Sequence, residues 1–136
     1  MLADDMLGTQ REDPSSPLAA SYYAAFDAID GDANNELIVG ELDGKAVAVL
    51  QLTYIPNISR RGSWRALVEG VRVDSSLRSS GVGRALIAWA IERARERGCS
   101  LVQLTSDKRR HDAIRFYQSL GFVASHEGMK LDLSSR

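Results

Sequence analysis

The stretch VRVDSSLRSSGVGRALIAWAIERARERG, from Val71 to Gly98, constrains the fold more than any other part of the chain. It opens as a strand, crosses a loop in which Gly81 and Gly83 stand among small residues, and continues as an amphipathic helix. Val82, Leu86, Ile87, Trp89, Ala90, Ile91 and Ala94 supply the apolar stripe. Arg93, Arg95 and Arg97 gather at the negative helix end, and Gly98 closes it. The N–H groups at a helix start, reinforced by the helix dipole, form a site for an anion, and glycines remove the side chains that would block close approach. In RSSGVG, Arg78 adds a charge-assisted contact while Gly81 and Gly83 let a diphosphate rest on the backbone. A plain turning loop is the competing explanation. A Rossmann fingerprint would need glycine where Leu86 stands, with Asp107 the sole candidate ribose partner, and a P-loop would need Lys-Ser/Thr where Arg84-Ala85 follow Gly83.

Around this unit the periodicity alternates between strand and helix. Ser16-Pro17 predicts a helix start, with Leu18, Tyr22, Ala25, Phe26 and Ile29 on an inward face and DGDANN ending the pattern. ELIVGEL and KAVAVLQLTYI, joined by Asp43-Gly44, predict a hairpin with a type I′ turn. WRALVEGVRV predicts a strand with a bulge at Gly70. SLVQLTS predicts a central strand, HDAIRFYQSLG a helix closed by Gly121, and FVASH with MKLDL a last strand pair around Glu127-Gly128.

The 136 residues suit one domain. Seventeen Lys and Arg against eighteen Asp and Glu create no general field for nucleic acid or anionic lipid. Arg60-Arg61 and Lys108-Arg109-Arg110 are local positive spots whose plain interpretation is solvated loop. A single cysteine, Cys99, excludes an internal disulfide and offers no metal spacing, consistent with a reducing cytoplasm. The first residues lack a signal-peptide core and no apolar run is long enough to span a bilayer, so neither export nor membrane insertion is expected.

The strand VEGVRV, the loop RSSGVG and the later DAIRFYQSLGF together resemble the GNAT superfamily of acetyl-CoA-dependent N-acetyltransferases. The loop matches Q/R-x-x-G-x-G/A at Arg78, Gly81 and Gly83, and the later segment matches A-x-x-F-Y-x-x-x-G-F at Ala113, Phe116, Tyr117, Gly121 and Phe122. The resemblance implies an α/β (α+β) fold: a mixed, mostly antiparallel sheet whose parallel central strands splay apart, flanked by helices. It implies one N-acetyltransferase domain over 1–136, with 18–133 as its core and 1–17 a remnant of the first helix plus a loop. The family's first strand looks absent, leaving the ELIVGEL edge to be covered by a dimer contact or the chain begun late.

Acetyl-CoA is the implied cofactor. Its pantetheine would pair with backbone from Val71 through Arg72 to Val73, and its pyrophosphate would rest on Ser79, Ser80, Gly81, Val82, Gly83 and Arg84 beside Arg78. Arg110 stands where many family members have asparagine and would reach the cofactor, with Lys108 and Arg109 as alternatives. Glu69, beside the bulge, resembles the family's general base, and Tyr117 the tyrosine that protonates the departing sulfur. Each has a plain alternative, a solvent-facing carboxylate and a packing tyrosine. Cys99, lacking an evident base, is not expected to carry an acetyl group, so direct attack in a ternary complex is implied. Tyr54, Arg61, Trp64 and His126 are candidate walls of the acceptor site. The implied activity is acetyl transfer to the primary amine of a small molecule. A protein or peptide amine as acceptor, or a non-catalytic acyl-CoA-binding regulatory module, are the alternatives.

Overall fold

The computed structural model describes residues 19–134. The chain forms two compact units, one running to Leu104 and one from Thr105 onward. The first holds α1 (Ala20–Asp30), β1 (Asn35–Leu42), β2 (Lys45–Pro56), β3 (Trp64–Val73), α2 (Val82–Glu96) and β4 (Cys99–Leu104), and the second holds α3 (His111–Ser119). The sheet runs β1-β2-β3-β4, antiparallel at the first two pairings and parallel between β3 and β4. This is the mixed, mostly antiparallel α/β sheet that the sequence predicts.

Asp43 (φ 53°) and Gly44 (φ 78°) both adopt the left-handed backbone that a type I′ hairpin requires. The bulge also forms where glycine interrupts β3. Val49 pairs with Arg72 and Gln51 with Glu69, so Leu50 alone faces Gly70 and Val71. Alternation then divides the sheet into two faces. Ala48, Leu50, Leu52, Tyr54, Ala66 and Val68 are buried on one of them, and α2 covers that face with Leu86, Ile87, Ala90 and Ala94. Burying these apolar side chains is the main stabilising term of the unit.

The parallel pairing stops at Val68 with Leu104. Among the described residues, Glu69 to Val73 have ladder partners only in β2, so the predicted splay is present. It leaves one backbone edge of β3 open for five residues.

Several expectations are corrected. SLVQLTS forms an edge strand of the described sheet, with its apolar residues half-buried, because an apolar run needs cover on its faces but not a neighbour on both sides. α1 begins at Ala20 without a side-chain cap and buries none of its residues; Phe26 is 50% exposed, and the inward face reduces to half-buried Tyr22 and Ile29. Trp89 leaves the α2 stripe and stands 47% exposed. FVASH and MKLDL form no strands: Val123, Met129, Leu131 and Leu133 remain largely exposed, and two short strands that bury nothing do not hold together. Ser16-Pro17 and the residues suggested as a helix remnant and loop lie outside the described residues. No helix among the described residues is long and apolar enough to cross a membrane.

Candidate active site

The candidate site in the first unit grows from the end of β3. After Val73 the chain makes a 3₁₀ turn over Ser75–Leu77, capped by Asp74, whose Oδ1 accepts from the Ser76 amide (3.0 Å) and hydroxyl (2.7 Å). Those bonds hold the Asp74 carboxyl below its ordinary value. Ser79 (φ 66°) then turns the chain, and Gly81 enters α2 with φ 93° and ψ −4°. A Cβ on Gly81 would meet nothing within 4 Å, so glycine is demanded there by backbone angle and not by crowding. No side chain caps α2, and its first long-range helical bond is donated by Ala85 N to Gly81 O (3.0 Å). The amides at the start of α2 ahead of Ala85 therefore point out of the helix end, where the dipole favours an anion, whereas the Ser80 amide before it is already donated to the Leu77 carbonyl (3.2 Å). Ser79, Ser80, Gly81 and Arg84 are exposed; Val82 and Gly83 are half-buried.

Glu69 is exposed at the last regular position before the bulge, opposite Gln51 on β2. Val71, Arg72 and Val73 follow on the open edge, half-buried. Arg72 donates from Nη1 to the Val71 carbonyl (2.7 Å). Arg65, Leu67 and Glu69 alternate onto the face that α2 does not cover. Arg65 donates from Nη1 to Gln103 Oε1 on β4 (2.7 Å), while its Nε is buried without a hydrogen-bond partner. Sequence reasoning missed Arg65, although a cationic residue four positions before Glu69 on one strand is a legible signal.

Two proposed acceptor walls move. Tyr54 is a core residue, 2% exposed, and its hydroxyl donates to Glu36 Oε1 (2.5 Å) under the Arg97 guanidinium, 4.0 Å from the ring centre. Glu36 also accepts from Arg93 Nε (2.9 Å). Burial, then the hydrogen bond to and charge of Glu36, push the Tyr54 phenol well above its ordinary value. Burial pushes the Glu36 carboxyl up, but hydrogen bonds from Arg93 and Tyr54 and the charges of Arg93 and Arg97 outweigh it and leave it lowered. Strict alternation from position 54 puts the ring among the buried residues, which corrects its assignment to the acceptor site. Trp64 likewise alternates with Ala66 and Val68, onto the opposite face from Glu69. Arg60 (φ 54°) and Arg61 (φ 60°) form a left-handed turn between β2 and β3, exposed and with no polar partner among the described residues. Burial raises the Cys99 thiol, which does not favour the thiolate a covalent route needs.

In the second unit Tyr117 is half-buried on α3, edge to face with Phe116 (5.3 Å) and Phe122 (5.8 Å). Gly121 closes α3 as predicted, and Phe122 N donates to the Tyr117 carbonyl (3.1 Å). Arg110 is the N-cap residue of α3. Arg109 is clamped on Asp107 through Nε (3.0 Å) and Nη2 (2.8 Å), and Lys108 pairs with Glu127 at 3.5 Å. The Arg109 clamp depresses the Asp107 carboxyl strongly. His126 is exposed, its Nδ1 2.6 Å from the Ser125 hydroxyl.

A strand that parts from its parallel neighbour and feeds an uncapped, glycine-entered helix is the α/β arrangement that the N-acetyltransferase resemblance implies. The profile of the Acetyltransferase (GNAT) family matches residues 3–122, and the chain belongs to that family. A glucosamine 6-phosphate N-acetyltransferase of Trypanosoma brucei brucei is 38% identical over 90 residues, covering 66% of this chain and 59% of the relative. An aminoalkylphosphonate N-acetyltransferase of Salmonella typhimurium is 31% identical over 84 residues, covering 62% of this chain and 54% of the relative. This chain thus spans just over half the length of these curated relatives. Among solved structures, that of a transcriptional regulator from Bacillus halodurans C-125 superimposes with TM-score 0.95 at 55% identity, covering 98% of this chain and 89% of that one.

Proposed function

We propose that the protein transfers the acetyl group of acetyl-CoA to the primary amine of a small molecule by direct attack in a ternary complex. The observation that carries this is the coincidence at Glu69: the parallel pairing ends one residue before it, the bulge follows, and the carboxylate is exposed. Family membership supports it, as do two relatives named for transfer to amines that carry a phosphate or a phosphonate.

The residues fit acetyl-CoA, which supplies the thioester carbonyl and the leaving thiolate. The open edge at Val71 to Val73 offers backbone groups to an amide-bearing chain. The segment from Ser79 to Arg84, with Arg78, suits a pyrophosphate through the amides at the start of α2, the Ser80 amide being taken by the Leu77 carbonyl, and Arg110 is the proposed further cationic contact. Glu69 takes the proton of the attacking amine, directly or through one water. Tyr117 gives a proton to the departing sulfur. Arg61 and His126 are retained as proposed acceptor contacts.

The test is thiol release from acetyl-CoA over a panel of small amines, with binding measured separately by calorimetry. Glu69→Gln is expected to lower turnover by about 10²–10⁴-fold, and Tyr117→Phe to lower it as well, while acetyl-CoA affinity persists. Unchanged turnover in both variants refutes the assignment. A second reading, a non-catalytic acyl-CoA-binding regulatory module, is favoured by the regulator name of the 55% identical Bacillus halodurans protein. It requires acetyl-CoA binding with no thiol release from the unaltered protein over the whole amine panel.

A further inference from the structure

Directly across from Glu69, the register of β2 and β3 places Gln51. Residues opposite one another on antiparallel strands point to the same face with their Cβ atoms about 5 Å apart, so Gln51 and Glu69 stand side by side on the face that α2 leaves uncovered. The Gln51 amide is held in one orientation. Asp32 accepts from the Asn34 amide (2.8 Å) and from Asn35 Nδ2 (2.8 Å), and these bonds keep its carboxyl below its ordinary value. An ionised carboxylate only accepts, so the Asn35 atom that meets it is Nδ2, and the Asn35 amide oxygen faces away. That oxygen accepts from Thr53 Oγ1 (2.6 Å) and from Gln51 Nε2 (3.1 Å). Gln51 therefore spends its donor side on Asn35 and turns Oε1 elsewhere. Oε1 has no hydrogen-bond partner among the described residues and is not closed off from solvent.

Two hydrogen-bond acceptors thus stand together where β3 opens: the exposed Glu69 carboxylate and a fixed amide oxygen. A pair of acceptors suits a group that carries several N–H donors, which is what an amine or its ammonium ion presents. One acceptor leaves such a nitrogen free to swing. Two fix its place beside the open edge of β3, and orientation of this kind is a large part of the rate of a two-reactant step. Room for the rest of the molecule lies on the β1 side. Leu37, opposite Gln51 in register, and Asn35 line a hollow of about 200 Å³ together with Phe26 and Ile29 of α1.

Resting on the acetyl-transfer function proposed above, we propose that Gln51 is the second contact of the acceptor nitrogen: Glu69 receives one N–H group, whose proton it removes, and Gln51 Oε1 accepts another, so that the site selects primary amines over N-alkylated ones. Gln51 touches the substrate in this scheme, while Asn35 and Asp32 are positioning residues that act through it.

The test uses the full chain, isotopically labelled and in saturating CoA, which carries no acetyl group to transfer, with two probes: propylamine and N,N-dimethylpropylamine. As an ammonium ion the dimethylated probe keeps a single N–H group, so only propylamine can serve both acceptors. An NMR titration is expected to show propylamine binding about tenfold or more tightly, as a hydrogen bond from a charged group provides, and to move the Gln51 side-chain amide resonances. The preference collapses in Gln51→Leu and weakens in Asn35→Leu. It persists in Gln51→Glu, which keeps an acceptor oxygen at that position and guards against loss of fold. Equal affinity for the two probes, no binding of propylamine, unmoved Gln51 resonances, or a preference that survives in Gln51→Leu overturns the inference. An intact preference with no thiol release from acetyl-CoA over the amine panel refutes the transferase function alone, whereas thiol release without the preference refutes the role of Gln51 alone.

Discussion

The two faces of the sheet treat charge in opposite ways. On the face covered by α2, Glu36 lies against Arg93 and Arg97 and receives the Tyr54 hydroxyl, so these three charges have opposite neighbours. On the other face, β3 carries an exposed Glu69 and a half-buried Arg65 that donates to Gln103. Covered charge must be satisfied within the chain or it destabilises the fold. Glu69, exposed on the face that α2 does not cover, is instead open to solvent. The comparison separates a structural ion cluster from a candidate acceptor surface within one small sheet.

The contrast breaks most visibly in the core. Leu50, fully buried under α2, is expected to cost about 2–5 kcal/mol as Leu50→Ala, from lost transfer energy and the cavity left behind. Leu37, 39% exposed on the other face, should cost no more than about 1 kcal/mol as Leu37→Ala. Urea unfolding of both checks this, and equal losses would show that the faces are packed alike. Tyr54→Phe sharpens the distinction at smaller scale. It removes the donor to Glu36 but keeps the ring under Arg97, so a loss of about 1–2 kcal/mol is expected with the acceptor KM unchanged. A raised acceptor KM would return Tyr54 to the site.

The smallest effect concerns acid. The Glu36 carboxyl is lower in the folded protein than in the unfolded chain. Its stabilisation is therefore fully present above the ordinary carboxylate range and fades as pH falls through and below it. Glu36→Gln should flatten part of the acid limb of a stability profile, by less than the Tyr54→Phe loss. An acid limb identical to that of the unaltered protein would mean that the cluster contributes no pH-linked stability.

Much of the fold was legible because it depends on short-range chemistry. Asp43-Gly44 fits a turn that needs positive φ twice, Gly70 marks the bulge, and Gly121 closes α3. The candidate site was legible in its backbone parts for the same reason, since a glycine-entered helix after a strand is a local pattern. Its walls were harder. Tyr54 sits in an apolar strand next to a polar loop, and only counting alternation from Leu50 and Leu52 reveals that it turns inward. The final strand pair was misjudged because strand propensity needs a partner to bury against, and the described chain gives Met129 and Leu131 none.

By itself the sequence determined the hairpin, the bulge and the left-handed entry to α2, because each is settled by the φ and ψ that a few neighbouring residues allow. Only the tertiary structure decided that Tyr54 belongs to an ion cluster, that Trp64 and Glu69 part to opposite faces, and that Arg65 is held by Gln103. Those outcomes depend on which distant strands become neighbours, and pairing register, not local propensity, brings Arg65 and Gln103 within 2.7 Å.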